Sequence, residues 1–137
     1  MDLHLTGKTV LVTGASKGIG LACAREFAAE GCDLHLASRT EADLQKAADG
    51  IRAQYQVNVT IHPIDIAEKG NSEKLAEACR DIDILVNNAG AIPPGDLWTV
   101  DEDRWREAWN LKVFGYINLS RAVYPMLKAK GSGVIVN

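Results

Sequence analysis

The chain of 137 residues has the length of one domain, and its content of 47% hydrophobic and 24% charged residues is ordinary for a globular protein. A formal net charge of −3 offers no broad positive field to a phosphate backbone, which argues against nucleic-acid binding.

Cys23, Cys32 and Cys79 show no Cys-x-x-Cys or Cys/His ligand spacing, so we expect reduced, mostly buried thiols and neither disulfides nor a metal site. No basic N-terminal region precedes an apolar run, and no stretch of about 18 apolar residues occurs. We therefore expect a cytoplasmic protein without a membrane segment.

Apolar runs of strand length alternate with stretches at helical spacing, and a strand comes first. In chain order, the first half is predicted to hold a strand over 9–13, a helix that ends just before Gly31, a strand over 34–38, a helix opened by a capping box at 40–43, and a strand over 57–64. The second half is predicted to hold a helix over 72–80, a strand over 82–86, a long helix from Asp101 through Val123, and a strand over 134–137.

Repeated strand–helix units of this kind build parallel sheets. We therefore expect a Rossmann-like doubly wound α/β fold, in which helices cover both faces of a parallel sheet in three layers. The predicted fifth strand has no helix after it, whereas a parallel sheet needs both faces covered. This indicates that residues 1–137 form an incomplete domain, truncated after the fifth strand.

A glycine-rich turn, Thr13–Gly20, lies between the first strand and the first helix, which is the position that a dinucleotide-binding loop requires. Gly14 permits a tight turn, Gly18 lets the backbone approach a pyrophosphate, and Gly20 lets the helix pack close to the strand. The helix N-terminus offers unpaired N–H groups to the phosphates. A turn without a ligand is the alternative. The residues of this turn expected at a cofactor are Gly14, Ser16, Lys17, Gly18, Ile19 and Gly20.

The sequence Asn87-Asn88-Ala89-Gly90 directly follows the fourth strand. Asparagine side chains can bind neighbouring backbone and hold the carboxyl ends of adjacent strands, while Ala89 and Gly90 let a ribose approach the main chain. This motif and the spacing of the glycine-rich turn resemble the N-N-A-G and T-G-x-x-x-G-x-G motifs of the short-chain dehydrogenase/reductase family. The resemblance covers the whole chain but only about the first half of a family member. It implies that Asn87, Ala89 and Gly90 contact the cofactor.

The second strand ends where dinucleotide folds carry the acidic residue that binds the ribose 2′-hydroxyl of NAD. Ser38 and Arg39 occupy this place, and a guanidinium can pair with a 2′-phosphate. Because Lys17 adds a second positive charge, we favour NADP(H), with NAD(H) as the alternative. The alternative for both Arg39 and Lys17 is a solvated surface charge that binds no ligand. The resemblance also implies adenine contacts from Asp65 and Ile66, while a loop-capping role is the alternative for Asp65.

The resemblance implies hydride transfer between an alcohol and a carbonyl, carried out by a Tyr, a Lys and a Ser, with an Asn in a water-linked proton relay. Only the Asn is present, as Asn110, for which helix packing is the alternative. Tyr124 and Lys128 have the family's Tyr-x-x-x-Lys spacing, but they precede the fifth strand, and Pro125 suits a helix boundary or kink. We therefore do not expect these two residues to be catalytic.

Two hypotheses follow for the function. The first is an NADP(H)-dependent oxidoreductase acting on a small alcohol or carbonyl, of which this chain is the cofactor-binding half; alone it should bind cofactor and transfer no hydride. The second is a non-catalytic nucleotide-binding or regulatory protein of the same fold. The resemblance also implies a homo-oligomer, a dimer or tetramer, that packs through the long helix. The scattered histidines and the tryptophans are expected in structural roles: His4, His35, His62, Trp98, Trp105 and Trp109.

Overall fold

The computed structural model describes residues 1–137 and contains one sheet of five parallel strands in the order β3-β2-β1-β4-β5. The strands are β1 (Thr9–Thr13), β2 (Asp33–Ser38), β3 (Val59–Pro63), β4 (Ile84–Val86) and β5 (Val134–Val136). The strand order reverses between β1 and β4. Loops that follow these two strands diverge at the carboxyl edge of the sheet, where open α/β sheets bind their ligands. The predicted Rossmann-like fold is thus confirmed.

The helices are α1 (Gly18–Ala29), α2 (Glu41–Gln54), α3 (Asn71–Ala78), α4 (Glu102–Trp109) and α5 (Gly115–Lys130). They cover both faces of the sheet because side chains alternate along each strand. Val10 and Val12 pack against α1 and α2, whereas Leu11 between them packs against α3 and α5. All three side chains are fully buried, so truncating Leu11 to alanine should cost about 2–5 kcal/mol of stability. No helix combines the length and the apolarity that crossing a bilayer would take.

Several element boundaries differ from the sequence prediction. The fourth strand begins at Ile84 and not at Ile82, which is buried in a turn where its N–H donates to the Cys79 carbonyl. The third strand is likewise shorter than predicted. The prediction of a capping box is wrong. Thr40 is the N-cap of α2, but its side chain makes no capping hydrogen bond. The box calls for Glu or Gln at its last position, and this chain has the shorter Asp43 there.

The long helix after residue 101 is interrupted. Asp101 caps α4 by accepting a hydrogen bond from the Arg104 N–H at 3.0 Å. Residues 110–114 then form a single π-helical turn before α5 begins. Pro125 lies inside α5, so of the two expectations for this residue, a helix boundary or a kink, the boundary is wrong. Pro125 is on the exposed side of α5, where solvent can bind the carbonyl that loses its helical donor.

Candidate functional site

A groove of about 460 Å³ follows the carboxyl edge of the sheet and is lined by the loops after β1, β2, β3 and β4. It contains most of the residues that the sequence predicts at a cofactor. Gly18, Gly20 and Asn87 are the exceptions, together with Asn110 on the long helix. The predicted residues that line the groove are Gly14, Ser16, Lys17, Ile19, Ser38, Arg39, Asp65, Ile66, Ala89 and Gly90.

Thr13 and Asn88 connect the two loops that diverge at this edge. The buried Thr13 hydroxyl accepts hydrogen bonds from the N–H groups of Asn88 and Ala89, both at 3.0 Å, and donates to the Val86 carbonyl at 3.3 Å. The Asn88 Nδ2 donates in return to the main-chain oxygens of Thr13 at 3.0 Å and Gly14 at 3.3 Å. The prediction that an asparagine of this motif holds adjacent strand ends is confirmed for Asn88. The role of Thr13 was not foreseen.

The glycine-rich turn packs against this connection. Gly14 and Gly18 have φ angles of 64° and 58°, in the left-handed region that favours glycine. A Cβ on Gly20 would collide with the Gly14 carbonyl oxygen and the Asn88 amide, so α1 approaches β1 as closely as expected. Lys17, the N-cap of α1, gives no side-chain cap. The first N–H groups of this twelve-residue helix are therefore available to an anion.

The groove is polar where β2 ends. The Ser38 Oγ is buried and has no hydrogen-bond partner, although buried polar atoms are ordinarily paired. Arg39, which follows it, is exposed and forms no salt bridge. An unpaired hydroxyl beside a free guanidinium is a fitting environment for a ribose bearing a 2′-phosphate. Asp43 also lines the groove and places a negative charge at the same end, which no sequence pattern indicated.

The Asp65 side chain takes the loop-capping role that was its alternative. Its Oδ1 accepts a hydrogen bond from the Ala67 N–H at 2.9 Å, and its main-chain oxygen accepts one from the Asn71 amide at 2.8 Å. The second carboxylate oxygen, Oδ2, receives no hydrogen bond from the protein, so it can still accept one from a ligand. Ile66 is 5% exposed and packs against Gly115 at the start of α5.

Asn87 points away from the groove. Its amide nitrogen donates to the Ser120 hydroxyl at 3.0 Å and to the Asn137 side chain at 2.8 Å, so it connects β4 with α5 and the end of β5. Its Oδ1 is buried and unpaired.

Asn110 and Lys112, two residues apart in the π turn, lie at different places on the surface. Asn110 is exposed and lines a shallow depression with Trp105, Trp109 and Phe114, outside the groove. Its main-chain oxygen accepts a hydrogen bond from the Gly115 N–H. Lys112, only two residues later, lines the groove, and no sequence signal marked it.

Lys112 lies between Gly90 and Tyr116. Its Nζ is 5.7 Å from the centre of the Tyr116 ring and lies beside Gly90, where it adds a positive charge to this end of the groove. Burial raises the pKa of the Tyr116 phenol, which is therefore protonated at neutral pH. Tyr124 and Lys128 do not line the groove.

A second polar cluster lies on the α3 side of the sheet. His35 Nδ1 is 2.8 Å from His62 Nε2, and the Cys79 thiol is 3.5 Å from the same His62 atom. Both imidazoles therefore have protein partners, which the spacing of the histidines in the sequence did not indicate. The three cysteines are free thiols, with Cys32 and Cys79 buried and Cys23 partly exposed, as expected.

Comparisons with known proteins agree with this architecture. A sequence model described as short chain dehydrogenase matches residues 8–137. A galactitol 2-dehydrogenase (L-tagatose-forming) of Cereibacter sphaeroides is 36% identical over 134 residues, which cover 98% of this chain and 53% of that protein. A tropinone reductase homologue of Arabidopsis thaliana is 37% identical over 139 residues, which cover 96% of this chain and 50% of that protein. The chain spans about half the length of the curated relatives it matches.

Solved structures extend the similarity to three dimensions. The L-sorbose reductase of Gluconobacter frateurii, solved with NADPH and L-sorbose, is 34% identical with a TM-score of 0.92, and the match covers 98% of this chain and 53% of that one. A short-chain dehydrogenase of Sphingobium yanoikuyae, solved with NADPH, is 32% identical with a TM-score of 0.88 over 95% of this chain and 52% of that one. Together with the paired glycine-rich and asparagine motifs at the carboxyl edge, these matches show that the chain belongs to the short-chain dehydrogenase family.

Proposed function

We propose that this chain is the cofactor-binding part of an NADP(H)-dependent oxidoreductase that interconverts an alcohol and a carbonyl. The observation that carries the proposal is the connection of the glycine-rich turn to the Asn88 loop through Thr13, which fixes the groove at the strand-order reversal. Residues 1–137 are its nucleotide-binding domain. The cytoplasmic location expected from the sequence stays a prediction.

The groove fits a dinucleotide at several points. The α1 N-terminus and the backbone of the glycine-rich turn would bind the pyrophosphate, because their N–H groups have no side-chain cap. Asp65 would accept from the adenine amino group through its free carboxylate oxygen. Ala89 and Gly90 leave room for a ribose beside Lys112.

Cofactor preference is assigned to NADP(H), with NAD(H) as the weaker ligand. The unpaired Ser38 hydroxyl and the unpaired Arg39 guanidinium support a bound 2′-phosphate, and no carboxylate occupies position 38 or 39. The similar reductase and dehydrogenase solved with NADPH support this preference. Asp43 at the same end of the groove opposes it. The preference thus depends on the positive charge of Arg39 outweighing the negative charge of Asp43, and the affinities for NADPH and NADH measure the difference.

The bound nicotinamide would supply or accept the hydride, and the protein would orient it and move protons. Asn110 is proposed to take part in the water-linked proton relay, a role that rests on the family resemblance alone because its side chain lies outside the groove. The Ser, Tyr and Lys that the resemblance implies are not among these residues. The chain by itself should therefore bind cofactor without turning over a substrate.

We also propose a homo-oligomer that packs through α4, the π turn and α5. Four large apolar side chains along this outer face are between 46% and 57% exposed. A contiguous apolar face on adjoining helical segments is typical of a subunit interface. The four residues are Trp109, Phe114, Ile117 and Tyr124.

Calorimetric titration of the purified natural protein with NADPH and with NADH tests the proposal. We expect 1:1 binding, with NADPH the tighter ligand by roughly tenfold or more, and turnover with a member of a panel of polyols, ketoses and other carbonyls. Binding without turnover against a broad panel would instead favour a non-catalytic nucleotide-binding protein of this fold. Absence of binding to either nucleotide would overturn the proposal.

A further inference from the structure

Three side chains able to bind metals meet on the α3 side of the sheet, away from the groove. His35 lies in the middle of β2, His62 lies on the neighbouring β3, and Cys79 is the C-cap of α3. His62 is two residues beyond Thr60, the register partner of His35, so both imidazoles lie on one face of the sheet. None of the three lines the groove. The cluster is therefore independent of the cofactor site.

The ligand atoms are nearly at the spacing of a tetrahedral site. His35 Nδ1 and His62 Nε2 are 2.8 Å apart, His62 Nε2 and Cys79 Sγ are 3.5 Å apart, and all three atoms lie within 4.8 Å of one another. Around a tetrahedral Zn²⁺ two nitrogens are separated by about 3.3 Å, and a nitrogen and a sulfur by about 3.6 Å. Side-chain rotations that move the ligand atoms by about one ångström or less would thus bring them to the spacing of a tetrahedral site.

Asp81 holds His35 in the orientation that a metal ligand needs. Its Oδ1 is 2.9 Å from His35 Nε2, so the Nε2 proton points at the carboxylate and the Nδ1 lone pair points into the cluster. The loop that carries Asp81 is fixed by Lys130, whose Nζ donates to the main-chain oxygens of Asp81 at 3.2 Å and Ile82 at 3.4 Å. Metal-ligating imidazoles commonly have such a carboxylate partner.

We propose that His35, His62 and Cys79 bind a Zn²⁺ ion, with Asp81 orienting His35 and a water in the fourth position on the solvent side. Two imidazoles and a thiolate are a ligand set that Zn²⁺ prefers and that Mg²⁺ and Ca²⁺ do not. One thiolate and the nearby Asp81 carboxylate balance the divalent charge. Two of the three ligands, His35 and Cys79, are buried, so the protein shields most of the site from bulk solvent.

Binding involves a defined proton balance. Burial raises the pKa of Cys79 to about 12, so its thiol is protonated without a metal and its proton leaves to solvent as the Zn–S bond forms. Burial and the neighbouring His35 lower the pKa of His62, so its imidazole is already neutral. With His35 Nδ1 as the acceptor, His62 donates from Nε2 without a metal; on binding, solvent takes the Nε2 proton and returns one to Nδ1, which no protein group occupies, so His62 stays neutral. One proton is released for each ion bound.

The ion would connect α3 with two strands, β2 and β3, that already pair through their backbones. β3 is an edge strand, bonded to β2 alone, and α3 packs on this face of the sheet near Leu11 and Ala37. A ligand from each of β2, β3 and α3 would join the edge of the sheet to the helix layer. Because only the folded chain presents the three ligands together, Zn²⁺ should stabilise it against unfolding.

Titration of the metal-free, reduced natural protein with Co²⁺ tests the proposal, because Co²⁺ adopts Zn²⁺ geometry and absorbs light. We expect a thiolate-to-cobalt charge-transfer band and intense tetrahedral bands that saturate at one equivalent and vanish on addition of Zn²⁺. Zn²⁺ should also raise the melting temperature by about 5 °C or more at a hundredfold excess over its dissociation constant. Mg²⁺ should give neither effect.

Variants assign the bands to the cluster. Cys79→Ser should remove the charge-transfer band, whereas the matched control Cys23→Ser, on α1, should leave it unchanged. His62→Gln, at a partly exposed edge position, should weaken Co²⁺ binding at least tenfold while the fold is retained, and Asp81→Asn should weaken it by about tenfold. No tetrahedral spectrum at one equivalent of Co²⁺, or a spectrum that survives both Cys79→Ser and His62→Gln, would overturn the proposal.

Discussion

Thr13 and Asn88 form a reciprocal pair: the Thr13 hydroxyl accepts the Asn88 N–H at 3.0 Å, and the Asn88 side-chain amide donates to the Thr13 carbonyl at 3.0 Å. The pair joins the ends of β1 and β4 at the point where the groove opens. Its two residues come from separate motifs that lie far apart in sequence. The shape of the groove therefore depends on a contact that neither motif contains by itself.

Replacing Thr13 by valine tests this contact. Thr13→Val keeps the volume but leaves the N–H groups of Asn88 and Ala89 without their acceptor, so we expect a loss of about 1–3 kcal/mol in the free energy of unfolding and weaker NADPH binding. Thr13→Ser should retain most of both, since it keeps the hydroxyl. Urea unfolding and NADPH titration measure the two quantities. Equal effects of valine and serine would show that the hydroxyl has no such role.

Gly20 and Gly50 make a matched pair of glycine substitutions within helices. Gly20→Ala places a methyl group against the Gly14 carbonyl and the Asn88 amide, so about 1–3 kcal/mol of stability should be lost along with nucleotide affinity. Gly50→Ala meets open space on the exposed side of α2 and should stabilise the protein by about 0.5–1 kcal/mol. Thermal unfolding of both variants checks the difference in sign.

Arg39 should determine the choice between the two nicotinamide nucleotides. Arg39→Asp replaces the group proposed to pair with the 2′-phosphate by one that repels it, and we expect the ratio of NAD to NADP affinity to rise by at least tenfold. Arg25→Asp, an exposed charge reversal on α1, is the control and should leave the ratio unchanged. Calorimetry with both nucleotides gives the ratio directly. An unchanged ratio in Arg39→Asp would remove Arg39 from the site.

Asp83 gives the protein a pH-dependent contribution to stability. Burial by itself would raise the pKa of Asp83, but the Lys130 ammonium at 2.7 Å and the Thr9 N–H at 2.9 Å outweigh it and lower that pKa below its ordinary value. Because the folded-state pKa is depressed, the stabilisation is present above the unfolded-state pKa and is lost as the pH falls through the folded-state value.

Asp83→Asn should therefore lower the free energy of unfolding by about 1–2 kcal/mol at pH 7. The difference from the parent protein should shrink as the pH falls below the unfolded-state pKa and vanish below the depressed folded-state pKa. Urea unfolding across this range measures it. Asp103→Asn, an exposed carboxylate on α4 without a salt bridge, serves as the control. A difference between Asp83→Asn and the parent that stays constant with pH would contradict the assigned role.

Trp109 should matter for self-association. Its side chain is 55% exposed on the outer face of α4, and a charge there would be buried without a partner in an interface. Trp109→Glu should thus shift the natural protein toward monomers in sedimentation analysis without lowering its melting temperature as a monomer. Trp98→Glu is the control, because Trp98 is 95% exposed in a loop outside this face. Identical sedimentation of all three proteins would argue against this interface.

Local patterns predicted the strands, the glycine-rich turn and the asparagine motif, because each depends on spacing within a short segment. The cluster of His35, His62 and Cys79 could not be predicted this way. His35 and His62 are 27 residues apart, His62 and Cys79 are 17 apart, and only the register of β2 with β3 and the docking of α3 bring them together. The same holds for Thr13, whose role depends on the loop after β4.

The sequence also could not assign Lys112 to the groove, because an uninterrupted helix was expected there. A π turn takes in one residue more than an α-helical turn, and each residue of a helix rotates its side chain by about 100°. The segment 110–114 thus sets α4 and α5 out of phase. Deleting one residue here would return the segment to regular α-helical spacing, but it would rotate α4 by about 100° around its axis relative to α5. Because of this offset, Trp109 faces outward while Lys112 faces the groove, so a change in the length of this segment should disturb both faces at once, whereas a substitution affects only its own side chain.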